Sequence, residues 1–590
     1  MCCPRWIQNV FRRLGLPVLV LAGSGLAAEP TPALTRLTGA DFEGGANRHF
    51  GQRFYDRDAV NYVYAAATGE ASRMQARFEV RAVPAEPQLL FLEAMDDEAA
   101  PACRVRVTLN GTVLLAGSSG FPNAAWQVRR FAVPAGALKT GRNELAIENR
   151  EPSGTLGQPP WFMVASATIA GPGYRPPVRR LPEFKVTLPG GERPLPEPLP
   201  AGAKPGFRWR GTKGWMWRPE QYLAELPILA KYRMNFLMNC YTSMCDIEHR
   251  RWGEPDCNRW WEPLPETKKR AYEAVVRACQ AQGIEFCFSM NPNLTSRRFA
   301  DPDRPEDVDH LWQHYQWMQG LGVRWFNVSL DDISQGIDAA RQARLVNELF
   351  RRLRAADPQA QMIFCPTFYW GDGRGGDAEP YLRTLAAELD RDAYVFWTGD
   401  QVITPRITRR AAASYREVIG HRLFLWDNYP VNDNHPTLNL GPVSGRDADL
   451  GEAIEGYLSN AMCPQSEINR LPLLTCADYA WNPRGYDPAR SIGQAIWHLA
   501  ADRSQREALR DLVEAYPGRL FFGKGTGFNP ARERFQLAAS DSPEQQTARL
   551  RGQERLRDAL KAAFGERFRD AQATVAADAD WMKRHLAEKR

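Results

Sequence analysis

Between residues 35 and 171, apolar and polar side chains alternate with the period of half-buried strands, and helical periods are few. Strand-like runs cover Gln88–Glu93, Arg104–Leu109, Thr112–Leu115, Trp126–Val133, Glu144–Glu148 and Trp161–Ile169. Asn110-Gly111 separates the second run from the third, a dipeptide suited to the left-handed backbone of a tight hairpin. Turn residues punctuate the runs at intervals typical of an antiparallel sandwich, so the pattern predicts an all-β, jelly-roll-like domain.

The rhythm then breaks. Residues 172–206 hold ten prolines, and that composition predicts a stiff extended connector. From 207 to 503 short apolar runs alternate with amphipathic helical stretches: Phe207–Trp217 then Pro219–Tyr232, and Met234–Tyr241 then Pro265–Gln282. Further strand-like runs are Ile284–Asn291, Val323–Leu330, Gln361–Tyr369, Ala393–Thr398, Arg422–Tyr429 and Tyr457–Met462, the last followed by a helical stretch at Ser491–Ala501. Eight such units predict a (β/α)8 barrel, whose chemistry belongs at the C-terminal ends of its strands. An open doubly wound sheet is the competing fold, but no GxGxxG follows the first strand. Residues 504–590 are charged and helical in pattern, with long runs at Glu544–Ala563 and Phe568–Ala587, and predict a helical domain that braces the barrel.

Residues 1–28 read as a signal peptide. Arg5, Arg12 and Arg13 precede the apolar run Leu14–Leu21, and Gly25-Leu26-Ala27 fits a cleavage site. Ser24 stands where a lipidated cysteine would be required, so the expected destination is the periplasm or the medium, without an anchor. No later run is apolar enough to cross a membrane. The formal charge is +6, and half of it leaves with the leader, so neither nucleic acid nor a membrane surface is expected as a partner. The cysteines and histidines are scattered without metal-ligand spacing, and no metal or cofactor is implied. Cys240, Cys245 and Cys257 are close enough for one local disulfide after export. Aromatics make up 11% of the chain, which suits stacking on flat ligands.

Asp331-Asp332 ends the fourth barrel strand. Neighbours on a regular strand face opposite ways, so both reach one pocket only if the strand bulges or ends there. Two carboxylates in one pocket cannot both ionise freely, and the pair can then supply a proton near neutral pH, as glycoside hydrolysis requires. Taken alone, Asp-Asp reads better as a solvated loop or helix-cap pair.

Wider motifs surround the pair. The run Trp325–Ile333 resembles glycoside hydrolase family 84, retaining β-N-acetylglucosaminidases that include protein O-GlcNAcases. So do Phe364–Tyr369, Val395–Gly399 with Val402, and Trp426–Asp433, followed by Gly441-Pro442, Ser459-Asn460 and Ala477–Pro483. The resemblance implies that Asp331 holds the acetamido N–H and that Asp332 acts as general acid and then base. It implies that the acetamido carbonyl attacks the anomeric carbon and forms an oxazoline. Tyr369 would bond the acetamido oxygen, and Cys365, Thr398, Val402 and Trp426 would enclose its methyl group. Asn428 would sit near the scissile oxygen, and Asp433 and Asn460 would bind outer hydroxyls. Two family features are replaced: the first-strand Gly-Phe-Tyr-Gly by Lys213-Gly214-Trp215-Met216-Trp217, and the lysine after the second strand by Cys240–Met244. The implied substrate is a glycan ending in β-linked GlcNAc or GalNAc. Competing readings are a glycan-binding protein without catalysis and a hexosaminidase of a neighbouring Asp-Glu family. In the N-terminal domain, Leu109-Asn110-Gly111 and Gly141–Leu145 belong to a pattern similar to galactose-binding-like domains, for which packing is preferred over sugar binding.

Overall fold

The computed structural model describes residues 32–54, 57–97, 102–123, 126–156, 159–176, 183–241, 258–333, 335–432, 437–463, 465–518, 520, 529–537 and 543–588. The expected leader, Cys245, Cys257 and Asp433 lie outside these residues. The chain divides into two compact units at about residue 177.

The first unit is a sandwich of antiparallel strands. They are β1 (Ala33–Thr38), β2 (Glu43–Gly44), β3 (Ala46–Phe54), β4 (Arg57–Tyr64), β5 (Arg73–Val80), β6 (Gln88–Asp96), β7 (Arg104–Leu109), β8 (Thr112–Ser118), β9 (Gln127–Val133), β10 (Gly141–Asn149) and β11 (Trp161–Ala170). One sheet runs β3-β4-β11-β6-β9 with β1 on β11, and the other runs β2-β5-β10-β7-β8. The alternation read along the chain is the core pattern: in β5, Met74, Ala76, Phe78 and Val80 are buried while their neighbours face outward. The hairpin forms where Asn110 and Gly111 predict it. Both adopt positive φ, 49° and 80°, and Leu109 pairs with Thr112 across the turn.

The second unit is built around a closed parallel barrel. Its strands are β12 (Trp209–Gly214), β13 (Phe236–Met238), β14 (Glu285–Met290), β15 (Trp325–Ser329), β16 (Gln361–Cys365), β17 (Tyr394–Trp397), β18 (Arg422–Pro430) and β19 (Ile454–Ala461). Helices Pro219–Lys231, Glu266–Ala281, Pro305–Gly320, Ala339–Ala356, Ala378–Glu388, Arg409–Ile419 and Arg470–Trp481 join or follow the strands. Inside the barrel, four strands each send side chains two residues apart to the axis: Phe236 and Met238, Ile363 and Cys365, Tyr394 and Phe396, Phe424 and Trp426. Each large side chain buried this way is worth about 1.5–3 kcal/mol. This packing leaves the strand ends as the place where a cavity can open.

The structure adds a helix that the periodicity does not reveal. Arg470–Trp481 is buried from Leu471 to Ala480, so it has no polar stripe to mark it as helical. The C-terminal helices Pro543–Phe564 and Arg569–Glu588 match the expected runs, and Leu512, Leu560 and Val575 share one continuous core with the barrel. Tyr516 seals that contact, its hydroxyl donating to Asp578 Oδ2 at 2.7 Å. Residues 183–205 form neither helix nor strand, yet they are not a free spacer. Val186 and Leu195 are buried in the barrel core, Trp497 Nε1 donates to the Pro189 carbonyl at 3.0 Å, and Asn482 Nδ2 donates to that of Pro198 at 3.1 Å.

Candidate active site

Strand β15 stops at Ser329, and two hydrogen bonds fix the chain just beyond it. Leu330 N donates to the Cys365 carbonyl at 2.8 Å, and Thr367 Oγ1 donates to the Leu330 carbonyl at 2.9 Å. Asp331 follows in the interior, 3% exposed. Asp332 then adopts φ +55°, a left-handed conformation that only a few side chains tolerate. That turn breaks the strand alternation, and both carboxylates line one cavity of about 470 Å³, ample for a sugar ring. A non-glycine residue held there by its surroundings is a mark of function.

The two acids have different environments. Asp331 Oδ2 accepts from the Tyr241 hydroxyl at 2.7 Å, and its Oδ1 accepts from Asn291 Nδ2 at 3.1 Å. Burial, and then the charge of Asp332, push the Asp331 carboxyl well above the usual range, while Lys213 and the Tyr241 hydrogen bond pull the other way. Asp332 is exposed to solvent, and its Oδ1 accepts from the Tyr369 hydroxyl at 2.8 Å. Burial raises Tyr241 and Tyr369 above the ordinary tyrosine range, so both keep their protons and act as donors.

Strand β18 supplies the opposite rim through its pleat. Trp426 and Asn428 face the cavity, and Asp427 between them turns away to a buried pair with Arg446 at 2.6 Å. Asn428 is a junction: its Oδ1 accepts from Trp426 Nε1 and Asn460 Nδ2, both at 2.9 Å, and its Nδ2 donates to the Val402 carbonyl at 2.7 Å. These bonds hold the loop after β17 against the end of β18.

Of the residues singled out in the sequence, Asp331, Asp332, Tyr369, Val402, Trp426, Asn428 and Asn460 line this cavity. Cys365 and Thr398 do not. Cys365 is wholly buried in the barrel interior with Tyr369 and Trp426, beneath the cavity. Thr398 turns its hydroxyl into its own loop and donates to the Gln401 carbonyl at 2.9 Å. Asp433 is outside the described residues. The remaining lining residues are Lys213, Trp215, Tyr241, Leu294, Thr295, Ile403 and Val431. Lys213 and Trp215 fall in the replaced first-strand motif, and Tyr241 falls in the replaced segment after the second strand. A second cavity, about 530 Å³, lies among the C-terminal helices, and Asp511 is the sole carboxylate among its lining residues.

Comparison with known proteins gives the family and the fold. A family model described as beta-N-acetylglucosaminidase matches residues 211–514, more than half of the chain. Among solved structures, a mutant of the O-GlcNAc hydrolase of Thermobaculum terrenum is similar with a TM-score of 0.53 at 22% identity, covering 65% of this chain and 84% of that one. CpGH84B is similar with a TM-score of 0.52 at 20% identity, covering 72% of this chain and 70% of that one. At these identities, the likeness to the two structures is one of fold.

Proposed function

The chain belongs to glycoside hydrolase family 84, the β-N-acetylglucosaminidase family, and from that premise we propose that it is an exported, retaining exo-β-N-acetylhexosaminidase working through an oxazoline. The substrate class is a glycan or glycoconjugate ending in β-linked GlcNAc or GalNAc. Export rests on the leader at 1–28.

One observation carries the mechanism. Among the described residues that line the cavity, Asp331 and Asp332 are the only carboxylates, and they come from a single turn of chain. An enzyme that supplies its own nucleophile sets its two carboxyls on either side of the scissile bond, about 5 Å apart. Among the described lining residues no second wall carries one, which supports a nucleophile supplied by the substrate. The acetamido oxygen attacks the anomeric carbon as the bond to the leaving oxygen breaks, Asp332 gives that oxygen its proton, and Asp331 accepts from the acetamido N–H. Water then opens the oxazoline, with Asp332 taking the proton back, and the configuration is retained.

Burial by itself favours the proton on Asp331. A bound acetamido N–H supplies Asp331 with a third donor and favours its anion, leaving the proton for Asp332. The Tyr369 hydroxyl, which donates to Asp332 in the open site, swings to the acetamido oxygen and orients it for attack. Val402 and Trp426 take the methyl group, with Cys365 beneath them and Thr398 holding the Val402 loop.

A panel of 4-nitrophenyl glycosides tests this reading. β-GlcNAc or β-GalNAc should be hydrolysed, with the β-anomer of the free sugar formed first. The plain β-glucoside should turn over at least about a thousandfold more slowly, because it lacks the internal nucleophile and leaves Asp331 unpaired. Comparable rates on the glucoside, or an inverted first product, would exclude the mechanism.

A further inference from the structure

Lys213, near the end of β12, is fully buried. Its Nζ has no hydrogen-bond partner, although it lines the cavity. Three aromatic rings surround it instead: its Nζ lies 3.7 Å from the ring centre of Trp426, 4.9 Å from that of Tyr241 and 5.0 Å from that of Trp215. Aromatic faces stabilise an ammonium without using lone-pair acceptors. The cage therefore keeps a cation in a dry place while leaving N–H donors unspent, able to meet an oxygen of a ligand.

A matching acceptor stands beside it. Strands β12 and β19 are parallel neighbours, and Lys213 is the register partner of Asn460. Asn460 spends its Nδ2 on Asn428, but its Oδ1 is buried and unpartnered. A donor without an acceptor and an acceptor without a donor thus sit side by side on the cavity wall. Hydroxyl groups both give and take hydrogen bonds, so a pair of adjacent hydroxyls satisfies both atoms at once. In the closed barrel, β12 and β19 lie across the mouth from β15, which carries the two acids. A ring that puts its acetamido group and anomeric carbon at Asp331 and Asp332 brings its far edge, carbons 3 and 4, to this wall.

We propose that Lys213, paired with Asn460 Oδ1, binds the vicinal hydroxyls at carbons 3 and 4 of the sugar and decides which N-acetylhexosamine the enzyme accepts. The inference rests on the functional reading above for the orientation of the ring. Gly214 belongs to the same device: a Cβ there would collide with the Trp217 ring, whose Nε1 donates to the Met462 carbonyl at 2.8 Å and anchors the turn carrying Trp215. Lys213 also favours the anion of Asp331, which faces Asp332, Tyr241 and Asn291 as well. A purely electrostatic role therefore has to be separated from contact with the hydroxyls.

The experiment pairs Lys213→Met and Lys213→Arg with 4-nitrophenyl β-GlcNAc and its 3-deoxy and 4-deoxy analogues. Met preserves the length of the stem, and thermal melting checks that the variants fold. On the parent sugar, Lys213→Met should lose about thirtyfold in kcat/KM, mostly through KM, with part of the loss restored by Lys213→Arg. On the analogue lacking the contacted hydroxyl, which the wild type already handles poorly, the same substitution should cost less than about threefold. Equal losses on parent and both analogues, with the acid limb of the pH profile displaced, would overturn the proposal and leave Lys213 as a counter-ion only. Calorimetric titration with free N-acetylglucosamine gives a second readout that needs no turnover. Unchanged affinity in Lys213→Met would refute the contact even if the enzyme is active, whereas weakened affinity in a protein that hydrolyses nothing would leave the contact standing and reject the function.

Discussion

Replacing Asp332 by Asn should reduce kcat/KM on an N-acetylglucosaminide with an alkyl or sugar leaving group by about three orders of magnitude or more. An alkoxide leaves only if it is protonated as the bond breaks, and an amide has no proton to give; general acid catalysis is worth about 10² to 10⁴. The 4-nitrophenyl substrate, whose phenolate leaves unaided, should lose far less. What it does lose reflects the second step, where Asp332 must take a proton from water. The variant is a clean probe because Asp332 is exposed and its left-handed φ of +55° is one that Asn tolerates well. Steady-state rates on the two leaving groups decide the matter. Equal losses on both would take the acid role away from Asp332.

Asp331→Asn should be damaging whatever leaves. The carboxylate is aimed at the acetamido N–H, where positive charge develops as the oxazoline forms, and no leaving group relieves the need for it. Removing one such charged contact should cost about 3 kcal/mol, roughly a hundredfold in rate. The amide also fits its surroundings poorly, since Tyr241 and Asn291 both donate to this side chain and one of them would then face another donor. The pH profile gives an independent check. In the wild type, protonating Asp331 removes activity, so kcat/KM should fall on the acid side. The midpoint should lie above the ordinary aspartate value of about 3.9, because burial and Asp332 raise this group. The limb that belongs to Asp331 should be absent in Asp331→Asn. A variant with near-normal rates and an unchanged acid limb would count against substrate assistance.

Much of the fold is readable in the chain because the barrel strands are short apolar runs, most of them followed by a helix with a polar face. That logic fails at Arg470–Trp481, which is packed on every side and so carries no stripe. The acid pair is visible as residues but not as geometry. Nothing in Asp331-Asp332 announces the positive φ that brings both to one cavity, a conformation set by bonds from Thr367 and Cys365 on the next strand. Cys365 and Thr398 show the reverse limit: the resemblance implies that they enclose the methyl group, yet their side chains lie beneath the cavity and within a loop. Lys213 stands out in the sequence only as a replacement for a family motif, and its meaning depends on three rings drawn from β18 and from the segments after β12 and β13.

The central claim is that the substrate supplies the nucleophile, and the measurement that reaches it most directly varies that nucleophile alone. Fluorine on the acetamido methyl withdraws electrons from the carbonyl oxygen while scarcely changing its size. Across 4-nitrophenyl N-acetyl-, N-fluoroacetyl-, N-difluoroacetyl- and N-trifluoroacetyl-β-glucosaminide, log kcat/KM should fall steadily with each fluorine, to a total loss of about a thousandfold or more, the share that an oriented internal nucleophile contributes. A flat response, with the trifluoro sugar hydrolysed nearly as fast as the parent, would show that the acetamido oxygen does not attack and would contradict the account.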